Sequence, residues 1–345
     1  MKLEYRQFSL PLSRPLETAG GTIESREGFL VRATEGDVVG LGEATPLPGW
    51  TESLAEGEAA LERAAEAVEV GNVGDAVRAL DETSAARHGV TLALADAQGE
   101  EMAMPLYQFL CAESRVARVP VNATIGDGSP EAAAETASEA VDRGFSCCKL
   151  KVGLRSVAED VERLRRVREA VGPDVELRAD ANGGWTFEEA REAVEAFDDL
   201  DVSILEQPLP AGALEGHAEL RGRGVAIALD EGVLEHGIDA VSEAKAADAI
   251  VLKPMALGGV GVARELAAWA SELEIGAYVT TTIDGVVART AAVHLAASIP
   301  DVPACGLATG ELLAEDLGPD PVLIADGAAV VPQAKGLGVS GVWDA

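Results

Sequence analysis

From about Val116 onward, short apolar runs alternate with segments that have the polar periodicity of amphipathic helices. Serine or threonine N-cap residues mark the predicted helix starts, as at Ser129, Ser156 and Thr186. The apolar runs predicted to be strands are 119–125, 145–152, 175–179, 202–206, 225–229, 249–253, 277–281 and 304–309. Eight such repeats in roughly 200 residues predict a parallel (β/α)8 barrel of the TIM type rather than a doubly wound sheet.

The first part of the chain has a different pattern, with strands first and helices afterwards. Apolar runs at 29–33 and 38–43 flank a short polar turn, which predicts a β-hairpin. Ser53 and Glu56 have capping-box spacing and open a predicted helix to about Val70. We therefore predict an α/β protein with an α+β domain over 1–112, the barrel over 113–315, and a C-terminal segment, 316–345, that packs on the N-terminal domain.

The composition and net charge of the chain exclude several classes of function. The chain has 345 residues and a formal net charge of −32, which argues against nucleic acid or an anionic membrane as a partner. The acidic residues are spread along the chain, which favours a solvated coat, typical of a halophilic protein in a salt-rich cytoplasm. A signal-peptide apolar region, a membrane-spanning run and a disulfide framework are not evident, so we expect a cytoplasmic protein.

Charged and polar residues end five consecutive predicted barrel strands, where the catalytic residues of such barrels lie. The chain has only six lysines, and three of them fall at these strand ends. Period-2 alternation puts Lys149 and Lys151 on one face of their strand. The strand-end residues are Lys149 and Lys151, then Arg178, Asp180 and Asn182, then Glu206, then Asp230 and Glu231, and finally Lys253.

The types of these residues point to metal-assisted proton transfer. Asp180, Glu206 and Asp230 end three adjacent strands, so their carboxylates converge and need a cation among them. All-oxygen ligation favours Mg²⁺ or Mn²⁺. Lys151 and Lys253 flank this group, as proton abstraction α to the carboxylate of a small-molecule substrate requires.

The remaining strand-end residues have more than one interpretation. Lys149 is either structural or a supporting charge beside Lys151. Asn182 and Glu231 are supporting candidates. Arg178 either contacts the substrate or pairs with a neighbouring acid. Arg14, Arg26 and Trp50 are candidate substrate contacts from the N-terminal loops.

The ordered set Lys149-x-Lys151, Asp180-x-Asn182, Glu206-Gln-Pro208, Asp230-Glu231 and Lys253-Pro254 resembles the enolase superfamily, in particular its muconate-lactonizing subgroup. The resemblance implies that the N-terminal domain caps the barrel and that Asp180, Glu206 and Asp230 bind Mg²⁺. It also implies that Lys151 is the acid/base residue and that Lys253 is the opposing lysine.

Within the subgroup, residues 25–31, 40–49 and 306–310 are similar to the o-succinylbenzoate synthase family. That likeness implies syn-dehydration of 2-succinyl-6-hydroxy-2,4-cyclohexadiene-1-carboxylate in menaquinone biosynthesis. Lys151 would remove the α-proton and return it to the leaving hydroxide.

Several alternatives stay open. N-succinylamino acid racemases share nearly the whole site, and muconate cycloisomerase is a weaker candidate. Dipeptide epimerases typically carry Asp-x-Asp on the last barrel strand, whereas here the stretch from Cys305 has no acid before Glu311. A non-catalytic acidic barrel is the alternative from a different class. The sequence does not indicate an oligomeric state.

Overall fold

The N-terminal domain begins with three antiparallel strands in the computed structural model, which describes residues 1–18 and 21–344. The strands, in the order β1-β2-β3, are β1 (Lys2–Thr18), β2 (Gly21–Glu35) and β3 (Val38–Ala44). β2 and β3 are the predicted hairpin, and Gly36 in its turn has a φ of +60°, which favours glycine. The helices that follow are α1 (Leu54–Glu69), α2 (Val73–Arg78), α3 (Ser84–Met102) and α4 (Leu106–Leu110).

Helices α1 and α3 cover one face of this sheet. β2 buries Phe29, Val31 and Ala33 in an apolar cluster with residues of α1 and α3. Gly42 permits a close approach of α3, because a Cβ there would lie 1.9 Å from the carbonyl oxygen of Gly89. The predicted Ser53 capping box is present at the start of α1. The end of β3 is thereby fixed against α3 where the chain leaves toward the barrel mouth.

The second part of the chain is a curved sheet of seven parallel strands with helices outside it. Its N-caps at Ser129, Ser156 and Thr186 are present as predicted. The sheet consists, in order of neighbours, of β5 (Ala123–Ile125), β6 (Cys147–Lys151), β7 (Glu176–Asp180), β8 (Val202–Glu206), β9 (Ala226–Leu229), β10 (Ala249–Leu252) and β11 (Gly276–Val279), with β4 (Arg118–Pro120) just before it. The helices are α5 (Pro130–Asp142), α6 (Val157–Val171), α7 (Phe187–Asp198), α8 (Leu214–Leu220), α9 (Glu231–Glu243), α10 (Pro254–Leu257), α11 (Val260–Glu272) and α12 (Val286–Ser298).

Two predicted strands differ in detail. The predicted strand 119–125 is divided, because β4 pairs with the C-terminal hairpin β12 (Ile324–Ala325) and β13 (Ala328–Val330) while β5 pairs with β6. The predicted eighth strand, 304–309, forms only isolated bridges, from Cys305 to Val121 and from Gly306 to Thr280. These bridges join the two edges of the seven-stranded sheet.

The C-terminal segment, described as far as residue 344, contacts both parts of the chain. The β12–β13 hairpin lies on β4 next to the barrel. Further along, the backbone N–H of Leu337 donates to Asp96 Oδ1 of α3 at 2.6 Å, and Arg6 donates to the carbonyl oxygen of Val342 at 2.6 Å. The domain boundaries at 112 and 315 stay predictions. No helix in the described part of the chain is long and apolar enough to cross a membrane.

Candidate active site at the barrel mouth

Strand register places three of the predicted site residues side by side. Lys151 at the end of β6 is the backbone partner of Asp180 on β7, and Asp180 is the partner of Glu206 on β8. Asp230 follows the last residue of β9, and Lys253 follows the last residue of β10. Because the strands are parallel, all five residues reach the same rim of the barrel.

The ammonium group of Lys149 lies between the carboxylates of Asp180 and Glu206. Its Nζ lies 3.1 Å from Asp180 Oδ2 and 3.0 and 2.9 Å from the two oxygens of Glu206. Burial lowers the pKa of Lys149, but the carboxylates of Asp180 and Glu206 outweigh it and raise the pKa above its usual range. Lys149 therefore acts as a fixed positive charge between two carboxylates, consistent with a supporting role.

Lys151 lies nearer the solvent, with 36% of its side chain exposed. Its Nζ donates to Asp180 Oδ2 at 2.6 Å and to Asn182 Oδ1 at 2.7 Å. Asn182 has a φ of +44°, a conformation that asparagine tolerates well. Although burial opposes it, Lys149 and Lys151 together hold the pKa of Asp180 well below its usual range. The lysine predicted to transfer protons is thus the exposed one of the pair.

Lys253 lies on the other side of the carboxylates. Its Nζ donates to Asp230 Oδ2 at 2.5 Å and stands 3.4 Å from the ring centroid of Trp50. Trp50 belongs to the loop between β3 and α1, so the N-terminal domain covers this lysine with an aromatic face. A cation over such a face is stabilised electrostatically. Gln207 Oε1 accepts from the backbone N–H groups of Asp230 and Gly232, which fixes the rim here.

The acidic side chains at the rim are not fully paired. Asp230 Oδ1 and Glu231 Oε2 are buried and have no hydrogen-bond partner. Burial raises the pKa of Asp230 to about 6 although Lys253 lowers it, and burial and Asp180 raise the pKa of Glu206. These oxygens are the donors that Mg²⁺ or Mn²⁺ prefers, so the residues fit such an ion. This fit concerns the chemistry of the donors, because within residues 1–18 and 21–344 no three acidic, histidine or cysteine side chains are arranged around a common metal position. Lysine ammonium groups contact Asp180, Glu206 and Asp230 instead.

Arg178 lies inside the barrel below this rim. It is 1% exposed, its Nε donates to Glu176 Oε1 at 2.7 Å, and its Nη1 donates to the carbonyl oxygen of Ala304 at 2.7 Å. Of the two interpretations of Arg178, the structure shows the pair with a neighbouring acid. Glu231 Oε1 lies 3.4 Å from Asn182 Nδ2, so these two supporting candidates meet at the rim.

The buried pair Asp160 and Arg163 was missed by sequence reasoning. Arg163 donates to the carbonyl oxygen of Lys151 at 2.7 Å and to Asp160 at 2.9 Å, while Asp160 accepts from the backbone N–H of Gly153. These contacts fix the loop that follows Lys151. The signal was available, because Asp160 and Arg163 share a helical face with the apolar residues Leu164 and Val167.

Arg26 and Glu43 join the N-terminal domain to the barrel. Arg26 is 3% exposed and donates to the carbonyl oxygens of Thr45, Pro46 and Ile283, so its guanidinium faces backbone. Glu43 accepts from the backbone N–H groups of Gly285 and Ala288 at the start of α12. Arg14 is exposed on β1. Sequence reasoning did not identify Glu43 as a buried contact.

Comparison with known proteins identifies the family to which this barrel belongs. Residues 132–345 match the family model described as enolase C-terminal domain-like, and residues 2–97 match the model of the MenC N-terminal domain. The chain therefore belongs to the enolase superfamily, as the strand-end motifs indicated.

Similar proteins carry out more than one reaction. The o-succinylbenzoate synthase of Thermobifida fusca is 39% identical over 211 residues, 59% of this chain and 64% of that protein. The substrate-liganded L-Ala-D/L-Glu epimerase of Bacillus subtilis has a TM-score of 0.89 and 29% identity, covering 99% of both chains. The dipeptide epimerase of Enterococcus faecalis, solved with Mg and L-Leu-L-Tyr, has a TM-score of 0.86 and 28% identity, also over 99% of both chains.

Proposed function

We propose that this protein is an o-succinylbenzoate synthase, which dehydrates 2-succinyl-6-hydroxy-2,4-cyclohexadiene-1-carboxylate to o-succinylbenzoate in menaquinone biosynthesis. The observation that carries the proposal is the match of residues 2–97 to the MenC N-terminal domain. That domain contains the loop whose Trp50 covers Lys253, so it borders the substrate side of the barrel. The 39% identity to the synthase of Thermobifida fusca supports the same reaction.

Lys151 is the acid/base residue of this proposal. Its neutral amine would take the proton α to the substrate carboxylate, and the resulting ammonium would give that proton to the hydroxyl group on the neighbouring carbon. The C–O bond then breaks, water leaves and the ring becomes aromatic. Asp180 and Asn182 hold the Nζ of Lys151 at the rim through two hydrogen bonds, which fixes the face from which the proton is removed.

Lys253 has a different part in the reaction. Its ammonium pairs with Asp230 and is covered by the ring of Trp50, and it would face the substrate from the side opposite Lys151. Developing negative charge on the substrate is stabilised by a fixed positive charge of this kind.

Asp180, Glu206 and Asp230 are the residues that would hold a divalent cation, Mg²⁺ or Mn²⁺. When bound, it supplies positive charge where the substrate carboxylate becomes more negative. The relative from Enterococcus faecalis was solved with Mg, which supports this choice of metal. Asp230 Oδ1 and Glu231 Oε2 are buried without a hydrogen-bond partner, which supports a cation beside them.

Racemisation of an N-succinylamino acid or epimerisation of a dipeptide is the second candidate. Lys151 ends β6 and Lys253 follows β10, so the two lysines flank the three strands that carry the carboxylates. Removal and return of a proton on opposite faces needs such a pair, and the likeness to dipeptide epimerases covers nearly the whole chain. Against a dipeptide, the eighth barrel segment, 304–309, has the hydroxyl group of Thr309 and no carboxylate. Thr309 Oγ1 lies 2.9 Å from Thr281 Oγ1 at this part of the rim.

A direct substrate comparison tests the proposal. Purified protein with Mg²⁺ is assayed for o-succinylbenzoate formation by chromatography, and for deuterium exchange at Cα of an N-succinylamino acid and of L-Ala-L-Glu in D₂O. We expect dehydration with the highest kcat/KM, abolished by EDTA and restored by Mg²⁺. Faster exchange with either amino-acid substrate would assign the second candidate. Absence of turnover with all three would favour a non-catalytic acidic barrel.

A further inference from the structure

Tyr278 reaches the candidate metal ligand Glu206 from across the barrel. Tyr278 lies on β11 and Glu206 on β8, three strands away in the sheet, and the tyrosine hydroxyl donates to Glu206 Oε2 at 2.8 Å. Both side chains are buried. Among the described residues, the side-chain hydrogen bonds to this carboxylate come from Tyr278 and Lys149.

The two donors restrain Glu206 differently. Lys149 Nζ lies within 3.0 Å of both carboxylate oxygens, so it holds the group without distinguishing one oxygen from the other. Tyr278 bonds to Oε2 alone, which fixes the rotation of the carboxylate and decides how Oε1 is presented. A hydroxyl is also neutral, so it orients the carboxylate without offsetting the charge that a cation would use.

The tyrosine ring is itself held in place. The guanidinium of Arg178 lies 5.1 Å from the ring centroid, and Arg178 is fixed by Glu176 and by the carbonyl oxygen of Ala304. A chain of side-chain contacts thus runs through the barrel interior to the rim, from Glu176 through Arg178 and Tyr278 to Glu206. A ring packed in this way gives its hydroxyl little freedom to leave Glu206.

We infer that Tyr278 is a positioning residue for the divalent cation, setting the orientation of Glu206 through its hydroxyl. The inference rests on the metal site of the proposed function but not on the choice of substrate. Residues that orient metal ligands in this way commonly contribute about 10–100-fold to metal affinity. A purely structural tyrosine would affect stability and leave the affinity for the metal unchanged.

The test is Mg²⁺ binding by calorimetry on protein stripped with EDTA, comparing Tyr278→Phe with the wild type. We expect the Kd for Mg²⁺ to rise about 10–100-fold, because the variant keeps the ring and loses only the hydroxyl. Tyr107→Phe is the matched control, since its buried tyrosine hydroxyl donates to Gln333 at 3.0 Å outside the site, and its Kd should equal that of the wild type.

The other possible outcomes also support or overturn the role of Tyr278. A Kd for Tyr278→Phe within threefold of the wild type, or a wild type that binds no Mg²⁺, overturns the inference. If Tyr278→Phe does not fold, Arg178→Lys is measured instead. This variant keeps the hydroxyl group of Tyr278 but removes the guanidinium that packs against its ring. A smaller rise in Kd is then expected, and no rise overturns the inference. Weakened Mg²⁺ binding in protein that does not form o-succinylbenzoate would support Tyr278 while refuting the proposed substrate.

Discussion

Two buried charged clusters in this protein are built in opposite ways. At the barrel rim, Lys149, Lys151 and Lys253 contact carboxylates side chain to side chain, and Asp230 keeps an orphaned oxygen. At the contact between the N-terminal domain and the barrel, Glu43 and Arg26 bond mainly to backbone groups. Side-chain partners can exchange when a proton or a ligand arrives, whereas backbone partners are fixed by the fold.

The difference indicates that the rim cluster serves catalysis, whereas the interface cluster positions the N-terminal domain. The rim cluster holds groups whose charges are unbalanced, which suits a site that binds a cation and moves a proton. The interface cluster holds the N-terminal domain against the start of α12, and so places the loop of Trp50 over Lys253. Changes at the rim should therefore alter turnover with little effect on stability, and changes at the interface should do the reverse.

The largest expected effect is at Lys151. Lys151→Arg keeps a positive charge beside Asp180, but arginine does not give up its proton, so kcat for the dehydration should fall about 10²–10⁴-fold. The melting temperature should stay near that of the wild type. Steady-state kinetics and thermal unfolding measure both quantities. Lys335→Arg, at an exposed ion pair with Glu100, is the control. Retention of more than a tenth of wild-type kcat would refute the role of Lys151.

A smaller effect, on stability, is expected at Glu43. Burial, followed by the negative charge of Asp284, raises the pKa of Glu43 to about 7. Because the folded pKa exceeds the unfolded value, the contribution of Glu43 to stability is full below pH 4.5 and is lost as pH rises through 7. The free energy of unfolding should fall by on the order of 1–3 kcal/mol across this window.

Glu43→Gln sharpens this expectation, since it removes the titration and keeps the side-chain size. Urea unfolding between pH 4 and pH 8 should show a flatter pH dependence for this variant than for the wild type. Asp96, whose pKa burial also raises to about 7, should leave a residual slope. Glu135→Gln, at an exposed position of α5, serves as the control. An unchanged slope in Glu43→Gln would contradict the buried titration.

The smallest effect is expected from salt, which should act on the exposed acidic residues and much less on the two buried clusters. With a net charge of −32, the exposed acids repel one another, and salt screens this repulsion. Raising KCl from 0.1 to 2 M should stabilise the protein by about 1 kcal/mol, or roughly 2 °C in melting temperature. The pH slope due to Glu43 should persist, because buried charges are screened much less. A melting temperature insensitive to salt would count against the acidic-coat interpretation.

Local patterns were sufficient for much of the architecture and for the location of the site. The N-caps at Ser129, Ser156 and Thr186 are local signals, and each appears in the structure where it was predicted. Charged residues at the ends of apolar runs are also local signals. The parallel barrel brings those ends together whatever the details of packing, so Lys151, Asp180 and Glu206 could be grouped in advance.

Other features depend on contacts between residues far apart in the chain. In the sequence, Tyr278 is simply an aromatic residue in an apolar strand. The curvature of the barrel places its hydroxyl group next to Glu206. The divided first strand depends on the C-terminal hairpin, which competes for the backbone of β4. The two interpretations of Arg178 could be separated only when Glu176 and Ala304 were seen beside it.

The amino-acid pattern alone is enough to predict the repeat of strands and helices, the N-terminal hairpin and helix caps, and the group of acids and lysines at the strand ends. These features follow from periodicity and from the cost of leaving charges unpaired in apolar segments. The folded structure was needed to see which lysine is exposed and which carboxylate oxygens lack a partner. It was also needed to see that Trp50 and Glu43 contact the barrel from the N-terminal domain. Such pairings depend on the three-dimensional packing of distant segments, which no local pattern specifies.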